Sequence, residues 1–572
     1  MAQLFPTESM KMALSKKLIN GSGNLDSKLW IIGEAPGEQE SLEGKPFIGA
    51  SGKFLREKFR LCGFDIENSR IENLISWQPP ANKFEYIETN CKEELRESVN
   101  LLCEKIKAAK PNLVFGLGAK PLFYLLGERT LSNWRGHIFF SEKLNCKVLF
   151  TYHPSACLRQ FHVDKSQYPG QYAALFQLDC QKVIEEMKTP DLSFPDVKFL
   201  VQPSFTETIN ELERLLDEKK PVSYDIETLG GFFMDCIGLC NNLSFSTCIP
   251  FYIPNSPRET IPYWKSMDEA VQVLRRIKQL LESSIPKVAQ NSQYDNLILG
   301  EYYGIDVRNC CHDTMVMAHD IYSSLPKDLG ALISVFTKLP YHKFLIHTGK
   351  VIDRWNYNAA DALANLHIME GETLDSKELG IYEHYYIIPH QVLKPCNIME
   401  RTGVNVNVEF RDAAIERERL LIDSIMDSLD KIFPLKINTD KKYPHKVNPG
   451  SGKDKMKVFS TFFKCRLHYK KGSITMDGDT LKKYETDKRS YVSILAKAFR
   501  LYLYSRSMKT TLETPLRKGR LHTAYGVGGI DQNEEEESGT DTGRLNSKES
   551  ILGGRNLQNL KKGQQRQMLI PG

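Results

Sequence analysis

The chain has 572 residues, of which 41% are hydrophobic and 26% charged, and its formal net charge is +5. This composition excludes a disordered or membrane-spanning protein, and at about 100–200 residues per domain the length predicts roughly three or four domains. The N-terminus does not have the charged-then-apolar order of a secretory signal, so we expect a protein of the cytoplasm without membrane partners.

The 13 cysteines are scattered and never spaced as CxxC. This spacing argues against a disulfide framework and against a compact zinc or iron–sulfur site. The net charge is too small to indicate nucleic-acid binding by itself. Phosphate contacts would have to come from local basic runs such as 436–457 and 497–518.

From residue 29 to about 188, short apolar segments alternate with amphipathic helices such as the one predicted over 89–109. The apolar segments are LWIIG, NLISW, NLVFGLG and KVLFTYH. This alternation predicts a parallel α/β sheet whose ligand site lies at the carboxyl ends of the strands.

Two glycine-rich loops follow the first strand, GEAPGEQE at 33–40 and GKPFIGASG at 44–52. A general phosphate loop would explain them alone, because glycines let backbone N–H groups approach a ligand and a helix N-terminus favours an anion. The last strand, however, ends in HPSACLR, which places His153 and Ser155 at the same edge as Glu34.

Together with NLISWQPPAN, these motifs resemble the family 4 uracil-DNA glycosylases across nearly the whole domain. The resemblance implies that Phe47 stacks on a flipped-out uracil and that Asn73 reads its polar edge, with Ser155 also at the substrate. It implies that His153 donates a hydrogen bond to the departing uracil anion, and that Glu34 stabilises the sugar cation or positions water. Flipping a base out of a duplex costs only a few kcal/mol.

The domain departs from that family in its iron–sulfur ligands. The family has a CxxC near its N-terminus and two later cysteines, whereas here Trp77 stands at the third ligand position and only Cys91 lies near the fourth. We therefore expect no iron–sulfur cluster and a domain stabilised by packing. The alternative to an active glycosylase is a catalytically silent module that binds DNA or aids processivity.

A proline-rich stretch at 189–197 predicts a linker before a second α/β segment. In its strand YDIET, Asp225 and Glu227 are two residues apart, so their side chains project from the same face. Downstream, AQNSQYDNLIL is predicted to place Asn291 at the end of a strand and Asp295 on the next helix.

In YNAADA, Tyr357 and Asp361 are four residues apart and share one face of a predicted helix. Together with Asp295 and the strand pair, Asp361 would complete a set of four acids that binds two Mg²⁺ or Mn²⁺ ions about 4 Å apart. One ion would lower the pKa of the attacking water and the other would stabilise the leaving 3′ oxygen. Tyr357 would orient the water.

Each of these motifs alone is also typical of a solvated edge or a structural salt bridge. Their order resembles the three exonuclease motifs of the proofreading domain of family A DNA polymerases, which has an RNase H-like fold. The segment CHDTMVMAHDIY, with Asp313, is similar to the DTM helix of that family. The resemblance implies a 3′→5′ exonuclease that acts on single-stranded 3′ ends, with Asn291 at the substrate.

From residue 389 onward the chain is predicted to be mostly helical and basic. Its segments VNPGSGKDK, SITMDGDTLKKY, TGRLNS and NLQNL resemble, in order, the thumb and the start of the palm of family A DNA polymerases. The resemblance implies contacts to the sugar–phosphate backbone and minor groove of primer–template DNA that do not read sequence. The residues implied are Arg544, Asn556, Gln558 and Asn559.

Motif A, the fingers helix and the late palm aspartate do not follow within the 572 residues. We therefore expect no nucleotide addition by this chain alone. The chain would be a piece cut from a longer protein, the first product of a gene split by an intervening element, or a natural fragment to which a second polypeptide supplies the rest of the polymerase. The order of glycosylase, exonuclease and polymerase indicates a phage protein of the infected host cytoplasm. A stand-alone repair nuclease is a further alternative, which the thumb and palm motifs disfavour.

The sequence thus predicts a mixed α/β protein with a uracil-DNA glycosylase-like parallel-sheet domain at 1–188 and a linker at 189–197. An RNase H-like exonuclease domain is predicted at 198–386, and a mostly helical thumb with a partial palm at 387–572. Uracil-containing DNA, single-stranded 3′ ends and primer–template are the expected partners.

Overall fold

The computed structural model describes residues 17–163, 170–256, 259–438, 440, 442–470, 473–527, 545–560 and 563–570. The chain forms two compact units, the first consisting mainly of the residues up to Leu393 and the second beginning at Lys394. Within this described part, none of the helices combines the length and the apolar character that crossing a membrane requires. The sheets and helices described below confirm the predicted mixed α/β fold class.

A five-stranded sheet of order β2-β1-β3-β5-β4 opens the first unit. Its strands are β1 (Leu29–Gly33), β2 (Arg70–Asn73), β3 (Leu113–Leu117), β4 (Ile138–Ser141) and β5 (Cys146–Thr151). All run parallel except β4, which pairs antiparallel with β5. The accompanying helices are α1 (Glu38–Glu43), α2 (Ala50–Leu61), α3 (Phe84–Asn90), α4 (Lys92–Ala109), α5 (Ala119–Leu126), α6 (Leu131–Trp134), α7 (Pro154–Val163) and α8 (Gln171–Glu186).

Both faces of this sheet are buried. Along β1, Trp30 and Ile32 pack into one apolar cluster, whereas Leu29 and Ile31 pack into another. A parallel sheet covered by helices on both sides needs apolar residues at every position, so its strands read as continuous apolar runs. This explains why LWIIG could be identified as a strand from its sequence.

Two predicted elements of this domain are wrong in their limits. NLISW, residues 73–77, was predicted as a strand, but only its first residue belongs to one. Strand β2 ends at Asn73, which pairs with Gly33 of β1. Leu74 and Ile75, which follow, lie in an irregular segment, and their side chains are buried in the core. The helix expected over 89–109 is two helices, α3 and α4, which are separated at Cys91. Apolar periodicity marked these residues as buried, but burial does not require ladder hydrogen bonds or an unbroken helix.

A second, six-stranded sheet of order β13-β12-β7-β8-β9-β6 follows an irregular segment at 189–197. Its strands are β6 (Lys198–Leu200), β7 (Val222–Leu229), β8 (Phe233–Asn242), β9 (Phe245–Pro250), β12 (Lys287–Ala289) and β13 (Cys310–Asp313), and a separate hairpin contains β10 (Tyr252–Ser256) and β11 (Glu259–Pro262). The central strands β7, β8 and β9 are antiparallel, whereas β12 runs parallel to β7 and β6 runs parallel to β9.

Seven helices of the described residues surround this second sheet. They are α9 (Phe205–Glu218), α10 (Met267–Leu281), α11 (Ser292–Tyr302), α12 (Thr314–Ile321), α13 (Leu329–Phe336), α14 (Val351–Glu378) and α15 (Tyr382–Ile387), with a 3₁₀ turn at Lys343–His347. The long helix α14 packs across β7, β8 and β9. Its Trp355 and Ala359 pack against Cys236 and Cys248 of the sheet in an apolar cluster.

A glycine allows α14 to approach the sheet closely. A Cβ atom at Gly238 of β8 would lie 2.6 Å from the carbonyl oxygen of Asn358 and 3.0 Å from Cβ of Ala362. Gly238 pairs directly with Asp225 in the β7–β8 ladder. The close approach thus occurs beside the first predicted metal ligand.

The second unit is largely helical. Its helices are α16 (Leu393–Thr402), α17 (Val408–Ile432), α18 (Gly452–Met456), α19 (Gly478–Tyr484), α20 (Ser490–Leu512) and α21 (Gln564–Gln567). Its short strands are β14 (Val404–Val406), β15 (His468–Lys470), β16 (Ser473–Thr475), β17 (Arg520–Leu521), β18 (Ala524–Gly526), β19 (Asn546–Lys548) and β20 (Leu569–Ile570). Helices α17 and α20 pack against each other around an apolar core.

Candidate active sites

Three predicted metal ligands meet at the centre of the second sheet. Asp225, Glu227 and Asp361 each offer a carboxylate oxygen, and the three oxygens lie within 4.8 Å of one another. The first two are on β7, where a spacing of two puts them on one face, and Asp361 comes from α14. Tyr357 is one helical turn before Asp361 and is also buried.

The charges of this cluster are unfavourable without a cation. Burial raises the pKa of Asp225 well above its usual range, and the nearby Asp361 and Asp295 raise it further. Burial likewise raises the pKa of Glu227 to about 7, although the Arg354 guanidinium opposes this shift. Such carboxylates lose their mutual repulsion when a divalent ion binds between them.

Two residues that were not predicted orient the carboxylates. The side-chain amide of Asn358 donates hydrogen bonds to Asp225 Oδ2 at 2.7 Å and to the Asp225 carbonyl oxygen at 3.1 Å. Nε2 of His342 lies 2.6 Å from Oδ1 of Asp361. Asn358 stands inside the YNAADA motif and could have been inferred from it, whereas nothing in the spacing of His342 indicates the contact.

Arg354, one turn before Tyr357, was also not predicted at this site. Its Nη2 is 3.4 Å from Oε2 of Glu227, and its Nε donates to the buried carboxylate of Asp235 on β8. The guanidinium therefore holds a position beside Glu227. A helical spacing of three from Tyr357 is the only sequence signal for it.

The fourth predicted acid lies next to this set. Asp295 on α11 is buried, and its carboxyl group accepts a hydrogen bond from the Ile226 backbone amide, between the two strand acids. Burial and the neighbouring Glu227 raise the pKa of Asp295 well above its usual range. Its oxygens are not among the three that converge within 4.8 Å.

The predicted DTM aspartate has a structural role. Asp313 caps α12 by accepting hydrogen bonds from the amides of Met315 and Val316. It also accepts hydrogen bonds from the backbone amides of Asn291 and Ser292, at 3.2 and 2.7 Å. Asn291 is the N-cap residue of α11, so Asp313 fixes the start of the helix that carries Asp295.

The residues implied for uracil recognition lie at the carboxyl edge of the first sheet. A Cβ atom at Gly33 would lie 2.4 Å from Phe47 Cζ and 2.5 Å from Asn73 Oδ1, so these two side chains meet above the end of β1. The ring of His153 is 6.4 Å from that of Phe47. Asn73 Oδ1 is buried and has no hydrogen-bond partner, which is unusual for a buried acceptor and leaves it available to a ligand.

The titratable groups of this pocket have altered proton affinities. Burial raises the pKa of Glu34 to about 7, and Lys120 opposes the shift. Burial and Arg159 lower the pKa of His153 to about 4, so its ring is neutral at physiological pH. The Ser155 amide donates to Nδ1 of His153 at 3.2 Å, which leaves the ring proton on Nε2 as a donor.

Two further contacts arrange the pocket. Ser155 Oγ lies 2.8 Å from Nδ1 of His153 and accepts a hydrogen bond from Arg159 at 3.1 Å. The carboxylate of Glu40 accepts hydrogen bonds from the Gly37 and Gly49 amides at 3.0 and 3.1 Å, which ties the two glycine-rich loops together. This role of Glu40 was not predicted, although the residue ends the GEAPGEQE motif.

The residues present do not fit an iron–sulfur cluster. Cys91 and Cys103 pack with Trp77 and Phe84 in an apolar cluster. Among the described residues, the acids Asp225, Glu227 and Asp361 are the only group of three or more potential ligands whose atoms converge. These side chains form part of the apolar core of the first domain.

The residues of the second unit that were predicted to contact DNA form hydrogen bonds that stabilise a turn. Asn556 accepts hydrogen bonds from the Gln558 and Asn559 amides, and the side chain of Gln558 donates to the Leu545 carbonyl at 3.0 Å. Gln558 and Asn559 are exposed at the surface. Arg544 lies outside the described residues.

Comparisons with known proteins relate the first domain to one family and a longer part of the chain to a DNA polymerase. Residues 20–176 match the uracil DNA glycosylase superfamily. The type-4 uracil-DNA glycosylase of Archaeoglobus fulgidus is 33% identical over 167 residues, which are 28% of this chain and 81% of that enzyme. The type-4 enzyme of Thermotoga maritima is 34% identical over 146 residues, 25% of this chain and 72% of that enzyme.

A DNA polymerase of Bacillus phage SP01 is 22% identical over 308 residues, which cover 49% of this chain but only 31% of that polymerase. The polymerase domain of Pol1 from M. smegmatis, solved with primer–template DNA and dNTP, covers 65% of this chain and 57% of its own at 15% identity and a TM-score of 0.46. Through residues 20–176 the chain belongs to the uracil-DNA glycosylase superfamily, and this domain is joined to a part that is similar to a phage DNA polymerase.

Proposed function

We propose that this chain is the front part of a replicative DNA polymerase of family A, with a metal-dependent 3′→5′ exonuclease in residues 198–386. The convergence of Asp225, Glu227 and Asp361 carries this proposal, because their oxygens are close enough to share divalent ions. The likeness to the phage polymerase supports it. The predicted domain limits are part of the same proposal.

The residues of the site suit hydrolysis of a 3′-terminal phosphodiester. Asp225, Glu227 and Asp361 would hold Mg²⁺ or Mn²⁺, with Asp295 beside them; when bound, the metal supplies a water of lowered pKa and neutralises charge on the leaving oxygen. Asn358 and Arg354 hold the two strand acids in place. Burial and the adjacent carboxylates raise the pKa of Tyr357, so its hydroxyl stays protonated and able to orient water.

We also propose that the first domain releases uracil from DNA. Asn73 Oδ1 is a buried acceptor without a partner, and it would take the N3–H of a uracil stacked on Phe47. The neutral His153 would donate its Nε2–H to the base as negative charge develops on it. Glu34, when ionised, would stabilise the positive charge on the sugar. The 81% coverage of an archaeal type-4 enzyme supports this proposal.

The exonuclease is tested by digestion of a 3′-labelled single strand in Mg²⁺ or Mn²⁺. Asp225→Ala combined with Glu227→Ala should abolish digestion, whereas Glu370→Ala, an exposed acid on the same helix α14, should digest at the wild-type rate. Full nuclease activity in the double variant would refute the assignment.

Uracil release is measured separately, as free base formed from single-stranded and U·G substrates. His153→Ala should slow it strongly and leave the exonuclease unchanged. If the wild-type protein releases no uracil above background, the first domain is a silent DNA-binding or processivity module, which is the alternative function.

We also propose that the second unit binds primer–template DNA and that the protein acts in the cytoplasm of an infected host. DNA binding is tested by the affinity of the protein for a labelled primer–template at increasing salt concentration. The basic stretch 497–518 supports phosphate contacts, so binding should weaken steeply as salt rises.

A further inference from the structure

The exonuclease-like site makes a contact with a segment outside its own sheet. His342, whose Nε2 is 2.6 Å from Asp361 Oδ1, lies 19 residues before that acid, in the segment 337–342 between α13 and α14. A hydrogen bond to one carboxylate oxygen restricts the rotation of the group. The position of His342 therefore helps to set the orientation of Asp361, together with the Tyr357 hydroxyl, which also hydrogen-bonds this carboxylate.

The residue next to His342 belongs to a different contact. The ring of Tyr341 lies 5.0 Å from Trp134 and 5.1 Å from His137, both of the glycosylase-like domain. His137 is buried. Neighbouring residues of one short segment thus touch the glycosylase-like domain on one side and the exonuclease carboxylate on the other.

The start of the segment is also held by the glycosylase-like domain. Lys182 of α8 donates hydrogen bonds to the carbonyl oxygens of Ser334 and Thr337, the latter at 3.4 Å, and to that of Gly136 at 3.1 Å. Arg135 forms a buried ion pair with Asp179 at 2.7 Å and donates to the Ser334 hydroxyl. The contacts of Arg135 are buried and those of Lys182 are partly buried, so they restrict the segment more than a loose surface contact could.

We propose that the glycosylase-like domain positions the exonuclease carboxylate Asp361 through the pair Tyr341 and His342. Removal of the aromatic contact on the glycosylase side would then weaken metal binding at Asp361, which belongs to the other domain. His342 and Tyr341 are positioning residues. The inference rests on the proposed exonuclease function.

The experiment measures single-strand digestion over a range of Mn²⁺ concentrations, and Mn²⁺ binding by calorimetry. Trp134→Ala is the most informative variant because Trp134 belongs to the other domain; Tyr341→Ala and His342→Ala test the remaining links. Each should raise the Mn²⁺ concentration for half-maximal rate by about tenfold, the usual effect of losing a group that orients a metal ligand. Tyr341→Phe and Trp134→Phe each keep an aromatic ring at the contact, so these variants should have the wild-type Mn²⁺ requirement.

A matched control lies on the same face between the two domains. Gln171 of α8 donates to the carbonyl oxygen of Ser324 at 2.8 Å, which lies outside the segment 337–342, so Gln171→Ala should keep the wild-type Mn²⁺ requirement. Circular dichroism melting verifies that each variant is folded. If Trp134→Ala does not fold, the comparison of Tyr341→Ala with Tyr341→Phe decides the outcome.

Two results overturn the inference while leaving the exonuclease intact. One is that Trp134→Ala and Tyr341→Ala both keep the wild-type Mn²⁺ requirement. The other is that Gln171→Ala raises the Mn²⁺ requirement as much as these two variants do. A wild-type protein that neither binds Mn²⁺ nor digests DNA would instead refute the proposed function itself, and the inference with it.

Discussion

The side-chain amide of Asn358 donates a 2.7 Å hydrogen bond to Oδ2 of Asp225. This bond connects α14 to β7 and fixes the carboxylate that burial would otherwise drive toward its protonated form. We expect Asn358→Ala to lower the exonuclease rate by about 10–100-fold, as is usual when a group that orients a metal ligand is lost. The measurement is digestion of a labelled single strand at saturating Mg²⁺.

The control for this variant is Asn365→Ala. Asn365 is fully buried on the same helix, two turns beyond Asn358 and about 10 Å away along its axis. Its removal has a similar cost in packing but touches none of the carboxylates. Equal losses in the two variants would show that the helix, and not the hydrogen bond, is responsible.

Metal removal should separate the two activities. EDTA is expected to abolish digestion of 3′ ends, since the three converging acids need a cation, and to leave uracil release unchanged, since that pocket offers Glu34 and His153 but no converging ligand set among the described residues. Both reactions are followed in one tube with a uracil-containing, 3′-labelled strand. Excess Mn²⁺ should restore digestion. Loss of both activities in EDTA would contradict the assignment.

The pH dependence of uracil release should report Glu34. Its pKa is raised to about 7, so the group is neutral below pH 7 and becomes a carboxylate above it. Only the carboxylate stabilises a sugar cation, so the rate should fall roughly tenfold per unit below pH 7 and level off above it. His153 has a pKa of about 4 and stays neutral over this range, so it adds no second pH-dependent step to the rate profile.

Single-turnover release of uracil between pH 5 and pH 9 checks this profile. Glu34→Gln should remove the dependence together with most of the rate. Glu38→Gln, which changes an exposed acid at the start of α1, should keep the dependence. A rate that rises toward low pH would mean that a protonated Glu34 is the active form.

A side chain at Gly238 should separate α14 from its sheet. The Cβ atom of Gly238→Ala would lie 2.6 Å from the Asn358 carbonyl, and neither backbone can yield without moving the helix. We expect a loss of about 1–3 kcal/mol in stability, lower melting by several degrees, and reduced digestion as Asn358 leaves Asp225. Gly478→Ala, where nothing lies within 4 Å, is the control. Unchanged melting and digestion would show that the helix tolerates the extra methyl group.

The sequence allowed the strands and the acids of both sites to be predicted for physical reasons. Strands buried on both faces appear as apolar runs, and acids two apart on a strand or four apart on a helix share a face, as Asp225, Glu227 and Asp361 do. His342 and Glu40 could not be found this way, because their partners are set by how distant segments pack. No spacing rule connects His342 to Asp361.

The buried ion pair between Arg135 and Asp179, with Ser334 bonded to the same guanidinium, means that the second α/β domain of the first unit does not fold independently of contacts with the first. A chain that began after the linker would expose the Ser334 and Thr337 carbonyls that Lys182 now satisfies. An exchange of domains between related genes would therefore have to move the two domains as a pair, because either one alone would expose polar groups that the other now satisfies.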